Sequence, residues 1–197
     1  MSETSIYGSH LPELTNTMNT ILAEVTAVRQ ELTEKTGSDP VEHLLSRIKS
    51  EESMREKCRR KGLPETEHSA LADIHDAIGI RVVCSFIDDV YTIRDRLTAI
   101  PGFTVVDEKD YIKKCKPNGY RSLHMILRSD NGFYAEIQLR TISMDVWAAL
   151  EHHMRYKKQV NGNLPLLTSE LKRCADELAS TDLSMQTIRN MILEEGA

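Results

Sequence analysis

The sequence predicts an α+β, or mixed α/β, domain with a central mixed β-sheet of about four to five strands flanked by helices. Residues 80–86, "IRVVCSF", form a short β-branched apolar run that is typical of a buried strand. Residues 122–128 and 133–140 flank the turn sequence "DNG", which predicts a hairpin. Periodic apolar patterns near both termini predict N- and C-terminal helical extensions.

Helices are expected through most of the N-terminal third. One helix is indicated by a heptad-like spacing of apolar residues: Leu14, Met18, Ile21, Val25, Val28 and Leu32. Asp39 and Pro40 are typical of an N-cap and a first helical position, so a second helix is predicted over "VEHLLSRIK". Ser50 is expected to cap a third helix, which Gly62 ends.

The remaining elements follow in order. Asp88 is predicted to cap a helix with one apolar face (Val90, Ile93, Leu97 and Ile100), and residues 103–107 are predicted to form a strand. Thr141 is expected to cap a helix containing "ISMDVWAALEHHMRYKK", and Thr168 a C-terminal helix.

The predicted hairpin has one apolar and one polar face. A three-residue loop at 130–132 places one apolar set on the same face: Leu123, Met125, Leu127, Ala135, Ile137 and Leu139. The opposite face then carries Ser122, His124, Glu136, Gln138 and Arg140. Because this face is too polar to be a second core, it is predicted to bind a ligand with several polar groups.

Composition narrows the class of protein. With 197 residues, 40% of them hydrophobic, the chain fits one soluble domain. A net charge of −5 argues against general nucleic-acid binding, so no DNA partner is expected. The sequence has neither a membrane-length apolar run nor a signal-peptide pattern, which favours a cytoplasmic location without membrane contact. The four cysteines form no C-x-x-C pair, so neither a zinc knuckle nor a redox motif is predicted.

Positive charge is nevertheless concentrated in one segment. Residues 47–61 carry seven Lys or Arg against three Glu. A solvated helix face is the ordinary interpretation of such a run. However, Lys57 and Arg60 lie three residues apart on one side, as phosphate-binding side chains would. Since no P-loop or G-x-G-x-x-G motif is present, nucleotide binding would depend on side chains.

Two further positions have both a structural and a functional interpretation. Asp76, at a helix-to-strand junction, is either a cap or, with Glu136, a Mg²⁺ ligand. Tyr120 follows the turn sequence Pro117-Asn118-Gly119, which favours an exposed bend, although the ring would ordinarily fold back onto the core. A metal-dependent phosphohydrolase built on "HD" at 75–76 and the histidines at 152–153 is disfavoured, because the motif lacks context.

Taken together, five motifs resemble the synthetase domain of the RelA/SpoT-like alarmone family over roughly residues 40–160. They are "SRIKS…KCRRKG", "HDAIGIRVVCSF", "DYIKKCKPNGYRSLHMI", "AEIQLRT" and "MDVWAALEHHMRYK". The resemblance implies a nucleotidyltransferase-like fold and a small, single-domain enzyme that transfers pyrophosphate from ATP to the 3′ hydroxyl of GDP or GTP. It divides the chain into an N-terminal packing or oligomerisation helix (1–38), a (p)ppGpp synthetase domain (39–160) and a C-terminal helical extension (161–197).

The resemblance also implies site residues, one by one. The ATP set is Arg47, Lys49, Ser53, Lys57, Arg60 and Arg81. The Mg²⁺ ligands are Asp76 and Glu136, and Glu136 is also the candidate base that draws the proton from the 3′ hydroxyl. The acceptor set is Lys116, Tyr120, His124, Gln138 and Asp145, with Tyr120 stacking on guanine.

Two expectations accompany this assignment. One is a homo-oligomer, a tetramer by resemblance, because the seam from Leu14 to Leu32 and the apolar face of the C-terminal helix would be exposed in a monomer. The other is the order "Asp-Ala-Ile-Gly" at 76–79 where the family usually has "Asp-Ile-Ala-Gly", a swap that conserves volume.

The alternative function is a catalytically silent nucleotide-sensing or RNA-binding module on the same fold.

Overall fold

The computed structural model describes residues 5–156 and 164–195. In chain order the elements are α1 (Leu11–Thr36), β1 (Val41–Ile48), α2 (Glu51–Lys61), a π-helical turn (Ser69–Asp73), β2 (Ile78–Cys84), α3 (Ile87–Leu97), β3 (Phe103–Asp110), β4 (Leu123–Ser129), β5 (Tyr134–Thr141), α4 (Ile142–Tyr156) and α5 (Leu164–Glu195). Within these described ranges, no helix is both long enough and apolar enough to span a bilayer.

The five strands form one mixed sheet in the order β1-β2-β5-β4-β3. β2 and β5 are parallel, and every other neighbouring pair is antiparallel. The predicted mixed sheet flanked by helices is therefore confirmed. β5 lies between β2 and β4, so the side chains of its polar face are flanked by those of both neighbouring strands.

The hydrophobic core lies on one side of this sheet. Helices α1 and α3 pack there, with fully or almost fully buried residues that include Leu14, Ile21, Val25, Val28, Val90, Ile93 and Leu97. Met18 and Leu32 pack against the same core. The heptad-like seam of α1 thus contacts this chain's own sheet, so it does not provide an exposed surface for a second subunit.

The hairpin register is confirmed. Leu123 pairs with Leu139, Met125 with Ile137 and Leu127 with Ala135, and all six side chains are buried. The opposite face of the same pair carries His124, Gln138 and Glu136, as the alternation predicts. A one-residue slip would have reversed both faces.

The helix predicted over 41–49 is wrong, because this segment is strand β1. Asp39 accepts a hydrogen bond from the Val41 backbone N–H at 3.0 Å, as an N-cap would, but the chain continues in an extended conformation. Residues from Val41 to Ile48 pair antiparallel with β2. Pro40 is tolerated because β1 is an edge strand, and its carbonyl accepts from Ser85 N–H at 3.0 Å.

Of the four other predicted helix starts, two are confirmed and two are corrected. The side chain of Ser50 accepts from Ser53 N–H, and that of Thr141 from Met144 N–H, each at 3.3 Å. Asp88 does not cap α3, because the carboxylate of Asp89 accepts from Phe86 N–H at 3.1 Å instead. Thr168 lies inside α5, which already begins at Leu164.

Candidate active site

One part of the site lies where β1 ends, α2 begins and the chain enters β2. The Lys49 ammonium lies 2.5 Å from Oδ2 of Asp76, and the Lys57 ammonium donates to the same oxygen. The other oxygen, Oδ1, is buried and has no hydrogen-bond partner among the described residues. Two cations and one carboxylate therefore meet at the predicted ATP and metal position.

The charges at this junction favour an ionised Asp76. Burial acts to raise the pKa of Asp76, but hydrogen bonds and charges from Lys49 and Lys57 outweigh it and hold the pKa below its usual value. Burial lowers the pKa of Lys49, against the opposing effect of Asp76. The carboxylate is thus available as an anionic ligand at neutral pH.

Glu136 lies on β5 opposite Gly79 of β2. Its Oε1 is 3.7 Å from His124 Nδ1, and its Oε2 accepts from Gln138 Nε2 at 3.1 Å. The neighbouring His124 lowers the pKa of Glu136, whereas burial and the negative charge of Asp76 act in the opposite direction. The two carboxylates therefore lie within electrostatic range of each other.

This pair of carboxylates fits Mg²⁺. Mg²⁺ keeps several waters and is commonly held by one or two carboxylates together with substrate phosphates. The unpartnered, buried Oδ1 of Asp76 is the kind of oxygen such an ion needs. Across residues 5–156 and 164–195, no group of three or more His, Cys, Asp or Glu side chains is arranged to bind a metal without substrate.

The histidines do not form a phosphohydrolase centre. The ring of His75 stacks on Tyr134 with centroids 3.9 Å apart, and its Nε2 is 3.1 Å from the Ala72 carbonyl oxygen. His152 and His153 are exposed on α4. This placement agrees with rejecting a phosphohydrolase built on "HD", because His75 packs on Tyr134.

The predicted acceptor residues form one hydrogen-bonded network. The Tyr120 hydroxyl lies 2.7 Å from His124 Nε2, and it accepts from Arg140 Nη2 at 2.7 Å. The same Nη2 donates to Gln138 Oε1 at 2.9 Å. Arg140 Nη1 donates to Asp145 Oδ1 at 3.0 Å. Four residues predicted separately from the sequence are thus joined through one guanidinium.

Tyr120 does not stand exposed at the tip of a turn, so that expectation is wrong. The ring is half-buried, with Lys116 Nζ 4.9 Å and Arg140 Cζ 5.2 Å from its centroid. The preceding Gly119 has φ +92° and is packed on α5, where an added Cβ would lie only 2.6 Å from the Cβ of Ala175. The turn is held down by the C-terminal helix, a long-range contact that turn propensity does not report.

Asp145 connects the acceptor residues with a residue of the predicted ATP set. Its Oδ1 lies 3.4 Å from Arg81 Nη1 in addition to the bond from Arg140, and its Oδ2 lies 3.7 Å from His43 Nε2. Both carboxylate oxygens therefore have a cationic or imidazole neighbour. Asp145 faces the sheet rather than solvent, with a side chain 15% exposed.

The cleft itself lies over β1, β2 and β5. Its empty volume is about 600 Å³, and its lining includes Arg47, Gly79, Arg81, Glu136 and Gln138. Ser53 and Arg60 are exposed on α2 and do not line this cleft. The predicted residues that line this cleft are thus Arg47, Arg81, Glu136 and Gln138, whereas Ser53 and Arg60 lie at the helix surface.

Arg140 lies on the hairpin face predicted to bind a ligand, but it is not among the individually predicted site residues. It is only 5% exposed, and its Nε lies 3.4 Å from Ser122 Oγ in addition to its other bonds. A buried arginine must have partners for its charge, and those partners here are the acceptor residues. The available signal was its place beside Gln138 on the polar face of β5, but its burial by α4 could not be inferred from alternation.

Comparison with known proteins agrees with this geometry. Residues 46–161 match the family model described as "Region found in RelA / SpoT proteins". GTP pyrophosphokinase YwaC of Bacillus subtilis (strain 168) is 42% identical over 164 residues, which cover 79% of this chain and 77% of that protein. The structure of small alarmone synthetase 1 from Bacillus subtilis bound to its product pppGpp aligns with a TM-score of 0.77 at 30% identity, covering 93% of this chain and 95% of that one.

By these matches the chain has an α+β fold that it shares with small alarmone synthetases. The chain belongs to the RelA/SpoT family. A second relative, GTP pyrophosphokinase YjbM of the same Bacillus strain, is 36% identical over 80% of this chain and 76% of its own length. The family predicted from the five motifs is confirmed, and the names of these relatives agree with the predicted class of enzyme.

Proposed function

We propose that this chain is a GTP pyrophosphokinase, which transfers the β,γ-pyrophosphate of ATP to the 3′ hydroxyl of GDP or GTP in the cytoplasm. The observation that carries this proposal is the pair Asp76 and Glu136, both kept ionised, at the boundary between a basic junction and a base-binding network. Relatives that share most of this chain are named GTP pyrophosphokinases.

The basic junction is the proposed ATP half of the site. Lys49 and Lys57, which here neutralise Asp76, supply positive charge for the phosphates of ATP. Arg47 and Arg81 line the cleft on adjacent strands and can stack on adenine through their planar guanidinium groups. Ser53 and Arg60 lie farther out on α2 and are proposed to contact the outer part of the triphosphate.

Glu136 is the proposed general base. Its carboxylate removes the proton of the 3′ hydroxyl as that oxygen bonds to the β-phosphorus of ATP, and the bond from the β-phosphorus to the bridging oxygen of the α-phosphate breaks to release AMP. Asp76 and Glu136 would also hold Mg²⁺, which when bound neutralises charge on the transferring phosphates. Because the pKa of Glu136 is lowered, its carboxylate is ionised and can accept the proton.

The network around Arg140 is the proposed acceptor half. Guanine would lie on the ring of Tyr120, and Asp145 would accept from the N1–H and exocyclic amine of the base. Lys116, whose ammonium already lies 4.6 Å from the ring centroid of Tyr111, and His124 face the phosphates and ribose. Binding of the base requires Asp145 to exchange some of its contacts with Arg81 and Arg140.

The test is separation of products by thin-layer chromatography after incubation with labelled ATP, Mg²⁺ and each guanine nucleotide. We expect ppGpp from GDP and pppGpp from GTP, with AMP formed in equal amount. The alternative, a catalytically silent nucleotide-sensing or RNA-binding module, predicts nucleotide binding without any AMP or labelled product.

We also propose that the chain forms a homo-oligomer, with a tetramer as the expected state. The distal part of α5 presents large apolar side chains that are at least 49% exposed: Leu183, Met185, Ile188, Met191, Ile192 and Leu193. A row of this kind is typical of a surface that another chain covers. Light scattering at micromolar concentration tests the proposal, and a purely monomeric mass contradicts it.

A further inference from the structure

The segment before α1 contacts the ATP half of the site. Tyr7 is 1% exposed, and its hydroxyl donates to the backbone carbonyl of Lys49 at 2.7 Å. On the other side of the same residue, the backbone N–H of Lys49 donates to the Ala77 carbonyl at 2.8 Å. Both backbone polar groups of Lys49 are therefore held, although Lys49 lies between β1 and α2 and belongs to neither element.

The same segment holds the start of α2. Glu51, in the first turn of that helix, accepts from Ser5 Oγ at 2.7 Å and from Ile6 N–H at 3.2 Å. Glu51 is two residues from Lys49, so three consecutive residues, 5–7, hold the junction at two places. This segment lies far outside residues 46–161, which match the family model.

We propose that Tyr7 is a positioning residue for the ATP site: its hydroxyl fixes the Lys49 backbone so that the Lys49 ammonium meets Asp76 and the phosphates of ATP. The inference rests on the proposed function of this junction. Tyr7 acts through Lys49 and needs no contact with nucleotide. Its ring, in the core with α1, connects the position of Lys49 to the rigid body of the domain.

The chemistry of Tyr7 suits a permanent donor. Burial, followed by the negative charges of Asp76 and Glu51, raises the pKa of Tyr7 far above its usual value. The phenol therefore stays protonated at any pH at which the enzyme works.

Tyr7→Phe tests the proposal because it removes the hydroxyl and keeps the ring in the core. Small displacements of a positioned group can cost up to ~10²-fold in rate, so for this indirect contact we expect a rise of about five- to tenfold in the KM for ATP. The Kd of AMPCPP, an ATP analogue with a methylene bridge between its α- and β-phosphates, should rise equally. The KM for GDP should stay within about twofold of wild type, a split that a general loss of stability would not produce.

Tyr91→Phe is the matched control. The Tyr91 hydroxyl donates to Asp110 Oδ2 at 3.0 Å, so this change also removes one tyrosine hydrogen bond to an acceptor, but on α3, away from Lys49. It should leave AMPCPP binding unchanged. Glu51→Ala, at a partly exposed position, releases Ser5 and Ile6 and should also weaken AMPCPP, which provides a second test if Tyr7→Phe folds poorly.

The outcomes separate this inference from the proposed function. The positioning role is overturned if folded Tyr7→Phe binds AMPCPP as tightly as wild type, or if Tyr91→Phe loses as much AMPCPP affinity as Tyr7→Phe. Product formation by the wild type would still support the proposed function in either case. If the wild type makes no alarmone but binds AMPCPP, the proposed function fails and the affinity series still decides the role of Tyr7.

Discussion

The two halves of the cleft differ in how their polar groups are partnered. In the ATP half (Arg47, Lys49, Lys57, Asp76 and Arg81), two lysines share one oxygen of Asp76, and the other oxygen is buried with no hydrogen-bond partner in the described part of the chain. In the acceptor half (Lys116, Tyr120, His124, Gln138 and Asp145), side chains bond to one another, and three of them bond to Arg140.

Under the proposed function, the two halves would bind their ligands in different ways. The ATP half already has the charge that phosphates and a cation need, and its position depends on backbone contacts. The acceptor half has its donors and acceptors satisfied internally, so a guanine base must exchange existing hydrogen bonds for new ones. Variants should therefore fall into three groups: those that lower kcat, those that raise the KM for the acceptor nucleotide, and those that lower the stability of the fold.

The largest effect is expected at the boundary between the halves. Glu136→Gln keeps the shape of the side chain but removes its charge, and loss of a general base typically costs ~10²-fold or more in kcat. Rates of AMP formation measure this effect, with AMPCPP binding as a check that the ATP half is intact. A folded variant that binds nucleotides and keeps more than about a tenth of the wild-type rate would contradict the role of Glu136.

The next effect should be confined to the acceptor half. Arg140→Lys keeps the charge but cannot bridge Tyr120, Gln138 and Asp145 at once, and hydrogen bonds to charged groups contribute about 1.5–3 kcal/mol each. We therefore expect the KM for GDP to rise about tenfold or more, with little change in the KM for ATP.

A matched control exists on the same hairpin. Arg128 is exposed on β4, with its Cζ 5.8 Å from the ring centroid of Tyr134, so Arg128→Lys should leave both KM values unchanged. Equal increases in the two KM values for Arg140→Lys would mean that the network supports the whole cleft and that the two halves are not independent.

The fold was largely predictable because most of its signals are local. The β-branched run of β2, the hairpin register and the α1 periodicity each follow from alternation or spacing that neighbouring residues determine. β1 was mistaken for a helix because Asp39 and Pro40 also begin helices, and because an edge strand that pairs on one side needs no strict alternation. Its pairing with β2 is a tertiary contact between residues 30 (Ile48 and Ile78) to 43 (Val41 and Cys84) positions apart along the chain.

The site was predictable in its residues more than in its connections. Motif resemblance named Asp76, Glu136 and Tyr120, and the structure places Glu136 in the lining of the cleft, Asp76 at the basic junction and Tyr120 in the network around Arg140. Motif resemblance could not reveal that Gly119 packs on α5 or that Arg140 is buried. Both features depend on helices that follow in the sequence and fold back onto the domain. Tyr7 had no motif at all, since its contact with Lys49 crosses 42 residues.

A third variant asks whether Asp145 reads the base. Asp145→Ala should raise the KM for GDP about fivefold or more, because the base loses a carboxylate that accepts two hydrogen bonds. Tyr120→Ala should impair acceptor binding whatever the base, since stacking contributes about 1–3 kcal/mol without selecting guanine. Steady-state kinetics with GDP and with ADP as acceptor distinguish the two variants.

Asp88→Ala is the control for Asp145→Ala. Asp88 is also an acidic residue in the first turn of a helix, but it lies on α3 and contacts Arg189. If Asp145→Ala behaves like Asp88→Ala, with a lower melting temperature and an unchanged KM for GDP, Asp145 only stabilises the helix end. If the KM for ATP rises instead, its contact with Arg81 is the important one.

The smallest effect concerns the pH dependence of folding in the ATP half. Because Lys49 and Lys57 hold the pKa of Asp76 below its unfolded value, this carboxylate contributes stability that is fully present above the unfolded pKa and is lost as pH falls through the folded pKa. Without Mg²⁺ or nucleotide, Asp76→Asn should therefore lower the melting temperature at pH 7, where each 1 kcal/mol corresponds to about 2–4 °C for a chain of this length. The gap between wild type and variant should begin to narrow as the pH falls below about 4, where Asp76 of the unfolded chain takes up protons, and should close once the folded carboxylate is protonated as well. Thermal unfolding followed by circular dichroism at both pH values measures it. A gap that stays constant down to about pH 3 would mean that the two lysines do not stabilise the fold through the charge of Asp76, and that their arrangement serves nucleotide binding alone.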